Sequence, residues 1–235
     1  DWGKLVSPLS EFHSRYGTGK FLRFQALSAE NGTLSGVDLS AAPHWDTIAL
    51  PGSQKEQLYA NTLRFLHTGR GENVLLYGPD GMGKRELVLA LCEELPELRL
   101  VLLNERELSA NVDALRALEA QPFRFVALLD GLTLSPREYR RLKAAFCGAF
   151  SNVLLYAVAP ERPEDSALFG LELAVSFLSP EEFCREVNRC LHEAGSAMDQ
   201  QALSQYVRQW QENSGELSLQ AASRLAQRLL RSRES

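Results

Sequence analysis

The sequence predicts an α/β fold in which helices cover both faces of a parallel sheet. Four short, almost entirely apolar runs recur with helical segments between them: NVLLY, RLVLLN, RFVALLD and NVLLYAV. Strands that are apolar on both faces and alternate with helices are typical of a parallel sheet buried on both sides. A fifth run, ELAVSF at residues 172–177, is expected to complete the sheet. The predicted architecture is therefore a three-layer sandwich with five parallel strands.

The part of the chain before the first apolar run has two predicted elements. Within an N-terminal extension over residues 1–50, the segment FLRFQAL at 21–27 is a candidate strand, and the extension is expected to pack on the core. A helix is then predicted to begin near Ser53, because Ser53 and Glu56 have the spacing of a capping box. The glycines of TGRGE are expected to end that helix.

The segment GPDGMGKRE joins the first apolar run to a helical pattern and has the spacing of a P-loop. In such a loop consecutive backbone N–H groups surround phosphates, while the positive end of the following helix points at them. Glycines permit the tight turn, and the lysine reaches the outer phosphates. A glycine-rich turn without a ligand is the alternative. The predicted nucleotide-binding or phosphate-binding residues are Gly78, Pro79, Asp80, Gly81, Met82, Gly83, Lys84, Arg85 and Glu86.

Arg85 occupies the position at which a P-loop carries a Ser or Thr that helps to bind Mg²⁺. A guanidinium has no lone pair to give and repels a cation, so direct metal coordination from this position is excluded. Two outcomes stay open: Arg85 pairs with the phosphates in place of the metal charge, or it turns away along the helix. Asp130, at the end of RFVALLD, is the candidate metal residue and a candidate for a catalytic role.

Residues 51–178 are expected to form the P-loop core, and residues 179–235 a C-terminal helical lid. Ser179, Pro180 and the acidic pair Glu181 and Glu182 predict the start of the first lid helix. Near the C-terminus, four arginines could form a basic strip, although a solvated helix face is the preferred interpretation. These arginines are Arg224, Arg228, Arg231 and Arg233.

Composition narrows the possible classes of protein. The chain has 235 residues, of which 45% are hydrophobic, and a formal net charge of -5. Binding to nucleic acid through bulk charge is therefore not expected, although a local basic groove is not excluded. No apolar run approaches the roughly 20 residues that span a bilayer, so a cytoplasmic protein without membrane contact is expected. The four cysteines and four histidines show no metal-binding spacing.

With these motifs in place, the chain resembles a bacterial family of AAA+-type P-loop ATPases described as a domain of unknown function, the eight-fifteen family. The resemblance extends from about residue 17 to about residue 180. It is carried by QKEQLYANTLRFLHTG, NVLLYGPDGMGKRELVLAL, PFRFVALLDGLTL and NVLLYAV. It implies an AAA+ core with strand order 5-1-4-3-2 and a C-terminal helical lid.

The departures from the family pattern fall at its working positions. The family has a Ser after the loop lysine, a second Asp after the strand Asp, an acidic residue a few positions later, a sensor-type Asn and an Arg directed at a neighbouring subunit. The residues at these positions here are Arg85, Gly131, Ser135, Pro160 and Leu168. The resemblance with these departures implies a degenerate member that keeps the fold and lacks efficient ATP hydrolysis.

Three functions follow from this pattern. The favoured one is a pseudo-ATPase that binds ATP, ADP or another phosphate anion, with Mg²⁺ doubtful, and acts as a partner or regulator. Its protein partner would be an AAA+-like relative or further copies of the chain. A slow Mg²⁺-dependent ATPase that uses Asp130 with Glu138 or another carboxylate is the second. A module that binds protein or nucleic acid and no nucleotide is the third.

Overall fold

The computed structural model describes residues 3–16, 19–50, 52–104, 108–132, 135–147 and 150–234. Its strands, numbered along the chain, are β1 (Ala26–Glu30), β2 (Thr33–Val37), β3 (Val74–Tyr77), β4 (Leu98–Leu103), β5 (Arg124–Asp130), β6 (Val153–Ala159) and β7 (Leu171–Ala174). They form one seven-stranded sheet in the order β2-β1-β4-β5-β6-β3-β7. The sheet is mixed, because β2 pairs antiparallel with β1 while the other neighbouring strands run parallel.

Helices precede β1, lie in four of the six intervals between the strands, and make up the C-terminal part of the chain. The described helices are α1 (Gly3–Tyr16), α2 (Lys20–Arg23), α3 (Gln54–Thr68), α4 (Lys84–Glu94), α5 (Leu108–Leu115), α6 (Pro136–Phe146), α7 (Pro180–Glu193), α8 (Gln200–Ser214) and α9 (Leu219–Glu234). Short 3-10 turns lie at Trp45–Thr47 and Arg116–Leu118. No helix within the described ranges combines the length and the apolar character needed to cross a bilayer.

The α/β prediction is confirmed, but the predicted number of strands was wrong. Strands β1 and β2, from the first 50 residues, extend the sheet beyond β4. The strand expected at residues 21–27 is also displaced, because α2 occupies Lys20–Arg23 and β1 begins only at Ala26. Strand β2 buries a single side chain, that of Leu34. An edge hairpin of this kind needs no continuous apolar run, and the sequence therefore gives only a weak signal for it.

The apolar runs bury both faces of the central strands. In β3, Leu75 packs in the core on one side of the sheet, while Val74 and Leu76 pack in the core on the other side. All three side chains are fully buried. Strand β5 divides in the same way, with Phe125 on one face and Val126 on the other. This two-sided burial is the physical reason for the unbroken apolar character of the strands.

Helix α3 ends where the sequence predicts, but it begins without the predicted capping box. Gly69 ends it in the left-handed conformation at φ 71°, which glycine adopts without a steric penalty. The Ser53 side chain makes no cap hydrogen bond. Its Oγ instead accepts a hydrogen bond from Gln57 Nε2 at 2.7 Å. The predicted box was therefore wrong, because a local spacing cannot show which partner the serine finds.

Helix α7 begins as the sequence predicts. Ser179 is its N-cap and accepts from the backbone N–H of Glu182. The Glu182 carboxylate accepts in turn from the Ser179 N–H at 2.8 Å. Pro180 occupies the first turn, where its missing N–H costs nothing.

Tyr156, on β6, joins the sheet to α3 through a buried hydroxyl group. Its oxygen lies 2.6 Å from Thr62 Oγ1 and 3.2 Å from Asn61 Nδ2, and burial raises the pKa of Tyr156 to about 12. We expect Tyr156→Phe to lower the free energy of unfolding by about 1 kcal/mol, since buried hydrogen bonds contribute roughly that much. The measurement is denaturant unfolding. Tyr206→Phe, at a side chain that is 43% exposed, is the control, and an equal loss in both variants would contradict this role.

Candidate functional site

The glycine-rich turn lies between β3 and α4, at the carboxyl edge of the parallel strands. Backbone hydrogen bonds hold its start in place: Gly78 N donates to Ala159 O at 3.2 Å, and Val175 N donates to Tyr77 O at 2.8 Å. Gly78 has φ 138°, and a Cβ there would lie 1.9 Å from Val175 O. Only glycine fits at this approach of two backbones.

Lys84 is the first residue of α4 and is buried, with 4% of its surface exposed. Its Nζ donates to Gly78 O at 2.6 Å and to Pro79 O at 2.7 Å, and it lies 3.8 Å from an Asp80 carboxylate oxygen. Burial lowers the pKa of Lys84, while Asp80, Asp130 and Glu86 act in the opposite direction. The ammonium group is therefore held inside the loop.

Arg85 points at the end of β5. Its Nε lies 3.1 Å from Asp130 Oδ2, and both side chains are roughly half exposed. Burial raises the pKa of Asp130, and Arg85 is the main group that lowers it. The carboxylate predicted to serve a metal thus has a guanidinium as its partner. A cation at this place would be repelled by Arg85, whose guanidinium has no lone pair to donate to a metal.

The first turn of α4 presents backbone donors to the same space. In the described part of the chain, no acceptor is found for the amide N–H groups of Lys84, Arg85 and Glu86. Unpaired N–H groups at a helix start carry the positive end of the helix dipole. Together with the Lys84 ammonium they give the loop the donors that a phosphate group requires.

A cavity of about 510 Å³ opens over the loop. Seven of the nine predicted residues, 80–86, line it together with Asp130. Gly78 and Pro79 lie behind it, where their carbonyls accept from Lys84. The other walls come from the N-terminal segment, the end of β6 and the C-terminal helices: Pro43, Thr47, Ile48, Val158, Glu186, Arg189, Cys190, Glu193, Leu219, Gln220 and Ser223.

The wall that α7 contributes was not predicted from the sequence. Arg189 Nε donates to Glu186 Oε2 at 3.0 Å, and its Nη1 pairs with Glu193. Glu186 is only 6% exposed, and its carboxylate is paired with the Arg189 guanidinium. Residues 186, 189, 190 and 193 share one face of a helix. The sequence shows this spacing, but it does not show that this face of α7 lines the cavity over the loop.

The other four positions at which the sequence was expected to depart from the family pattern are Gly131, Ser135, Pro160 and Leu168. Gly131 has φ 78° with nothing within 4 Å of an added Cβ. Ser135 is the N-cap of α6, and Glu138 completes its capping box. Hydrogen bonds from Ser135 lower the pKa of Glu138. Pro160 is exposed after β6, and Leu168 is buried, its N–H donating to Tyr139 Oη at 3.2 Å.

Residues 19–163 match the family model described as "Protein of unknown function (DUF815)". The chain belongs to this family. The match includes the N-terminal strands, the glycine-rich loop, Arg85 and Asp130. No curated protein shows significant similarity to the chain.

Solved structures share the fold of this DUF815 member. A single-residue variant of RuvB from Thermotoga maritima superposes with a TM-score of 0.62 at 19% identity, over 81% of this chain and 65% of that one. The T. maritima RuvB described as a Holliday junction branch migration motor gives 0.57 at 16% identity, over 77% and 62%. C. elegans PCH-2 gives 0.53 at 13% identity, over 85% and 74%. The chain therefore has an AAA+-type P-loop fold and spans less than two thirds of the RuvB chains.

Proposed function

We propose that this DUF815 member binds ATP or ADP through the glycine-rich loop, with the Arg85 guanidinium in the place of a metal ion. The Arg85–Asp130 ion pair at 3.1 Å carries the proposal. Arginine keeps its charge at all ordinary pH values and can bind phosphate oxygens in a bidentate manner. Lys84 and the first amides of α4 would hold the outer phosphates, and Arg85 would neutralise part of their charge.

The cavity supports a nucleotide over a bare phosphate ion. Its volume of about 510 Å³ lies within the roughly 300–1,000 Å³ that is typical of small-molecule pockets. It continues past the loop to Pro43, Ile48 and Cys190, which provide less polar surface away from the loop cations. A nucleoside attached to the phosphates would occupy this part of the cavity.

We further propose that hydrolysis is inefficient. A hydrolase needs a group that orients and polarises the attacking water, most often a carboxylate. Gly131 follows Asp130 and has no side chain, while Glu138 is bound in the capping box of α6. The second function considered, a slow Mg²⁺-dependent ATPase, would have to displace Arg85 from Asp130, and it would also have to break that box or use another carboxylate. Both steps make it the weaker hypothesis.

We propose that the protein acts by binding other proteins. Leu168, at the position where the family has an Arg directed at a neighbouring subunit, is 6% exposed and packs in the core. We infer a regulator or partner of an AAA+-like protein, or of further copies of itself, and not a motor like the RuvB neighbour. The proposed division into an extension (1–50), a core (51–178) and a lid (179–235) suits this role. The separate apolar core of the C-terminal helices supports the lid, while β1 and β2 join the extension to the sheet of the core.

The nucleic-acid alternative has less support. In the predicted basic strip, Arg224 donates to both carboxylate oxygens of Glu216 at 2.9 Å. The formal net charge of -5 also gives the chain no bulk attraction to a phosphate backbone. Side-chain contacts of Arg233 lie outside the described residues.

Lys84→Ala tests the proposal directly. We expect ATP and ADP binding to weaken by at least about tenfold, because hydrogen bonds to charged groups contribute roughly 1.5–3 kcal/mol. Isothermal titration calorimetry measures the affinity. Lys143→Ala is the control, since Lys143 lies outside the cavity and pairs with Asp165. Equal affinities in both variants and the wild type would overturn the proposal, as would Mg²⁺-dependent ATP turnover that Lys84→Ala abolishes.

A further inference from the structure

The first turn of α9 rests directly on the glycine-rich loop. Gln220 N donates to Gly81 O at 3.0 Å. A Cβ on Gly81 would lie 3.0 Å from Ser218 Oγ and 3.2 Å from Gln220 Cβ. The loop and the C-terminal helices therefore meet backbone to backbone, with no space for a side chain between them.

Met82 makes a second connection between the same two parts. It is a loop residue, yet it is fully buried in the apolar core of the C-terminal helices, with Phe183, Val187 and Leu225. Strand β3, which precedes the loop, packs in the two cores that flank the sheet. One side chain of the loop is thus part of the core of the lid.

The segment that holds the loop is itself well ordered by hydrogen bonds. Ser218 Oγ accepts from Ala221 N at 3.0 Å, and Ser218 O accepts from Ala222 N at 3.0 Å. Leu178 N donates to Leu217 O at 3.0 Å and joins this turn to the segment before α7. The Gln220 amide is therefore presented to Gly81 by a fixed turn.

We propose that Met82 and the Gln220 amide are positioning residues that hold the loop in its anion-binding geometry. The bond to Gly81 O fixes the plane of the Gly81–Met82 peptide, which comes just before the amides of Lys84 and Arg85. Docking of the lid and binding of a phosphate anion are then coupled, and each strengthens the other to the same extent. This inference rests on the proposed anion-binding function. It implies that anion binding is regulated through the lid, because a partner that displaces α9 would release the anion.

The test compares Gln220→Pro with Gln220→Ala. Both variants remove the side-chain amide, but only proline removes the backbone N–H, and the first turn of a helix tolerates proline. We expect ATP in EDTA to bind about tenfold more weakly to Gln220→Pro than to Gln220→Ala, the effect of roughly one hydrogen bond. Thermal unfolding shows that both variants are folded. Equal affinities would overturn the inference.

A second pair of variants leaves the helix unchanged. Met82→Leu keeps an apolar side chain of similar size in the lid core, whereas Met82→Ala removes it. We expect ATP to bind about fivefold more weakly to Met82→Ala than to Met82→Leu, within the usual range of coupling between sites. Hydrogen exchange in α9 should slow when ATP binds to the wild type and respond less in Met82→Ala. No response in the wild type would overturn the coupling, and absence of ATP binding to the wild type would instead remove the proposed function.

Discussion

Gly78→Ala is expected to lower the free energy of unfolding by about 4 kcal/mol, from overpacking and backbone strain of roughly 1–3 kcal/mol each. The new Cβ would lie 1.9 Å from Val175 O. Val175 cannot move away easily, because its N–H donates to Tyr77 O at 2.8 Å. The loop or the segment after β7 would have to shift, and ATP binding should be lost with the loop geometry.

Gly131→Ala is the matched control for this change. Gly131 also has a positive φ, 78°, but nothing lies within 4 Å of an added Cβ. Gly131→Ala is therefore expected to lower the free energy of unfolding by only about 1 kcal/mol, because alanine is less stable than glycine in the left-handed backbone region. Denaturant unfolding of both variants separates the collision from the backbone preference. Equal losses would show that Gly78 is needed only for its dihedral angles.

Arg85→Ser is expected to make ATP binding depend on Mg²⁺. Serine supplies the hydroxyl ligand that arginine lacks and releases Asp130 from its ion pair. We expect Mg²⁺ to tighten ATP binding to this variant by up to about a hundredfold, the upper end of typical coupling between two ligands. The measurement is calorimetric titration of ATP in Mg²⁺ and in EDTA.

Two further variants identify the source of this effect. Arg85→Lys keeps a cation without a lone pair to donate, so its ATP affinity should remain independent of Mg²⁺. Adding Asp130→Asn to Arg85→Ser should remove most of the metal dependence, because the carboxylate charge is lost. If ATP binding to Arg85→Lys depended on Mg²⁺, loss of the guanidinium would be enough to cause the effect, and a new metal ligand would not be needed.

The sequence predicted best the strands whose side chains are buried on both faces of the sheet. Strands β3 to β6 are buried on both faces, so their sequences are continuous apolar runs. Strands β1 and β2 lie towards an edge of the sheet and bury their side chains only in part. Their short, partly polar sequences give little signal, and the pairing of β1 with β4 is set by tertiary structure.

The candidate site likewise has a part that the sequence predicted and a part that it did not. The loop was predictable because glycines and a lysine stand at fixed spacing between an apolar strand and a helical pattern, which is a local feature of the sequence. The pairing of Arg85 with Asp130 required the strand order, since β6 lies between β3 and β5. The contacts of Arg189 and Gln220 required the packing of the lid, which no local pattern encodes. The distant parts of the cavity were therefore the ones that were missed.

Titration of ATP into the wild-type protein, once with Mg²⁺ and once with EDTA, tests the central claim most directly. If Arg85 stands in the place of the metal charge, ATP binds in both conditions with affinities that agree within about twofold, a difference of roughly 0.4 kcal/mol. Binding that appears only with Mg²⁺, or that Mg²⁺ tightens by about tenfold or more, would contradict it.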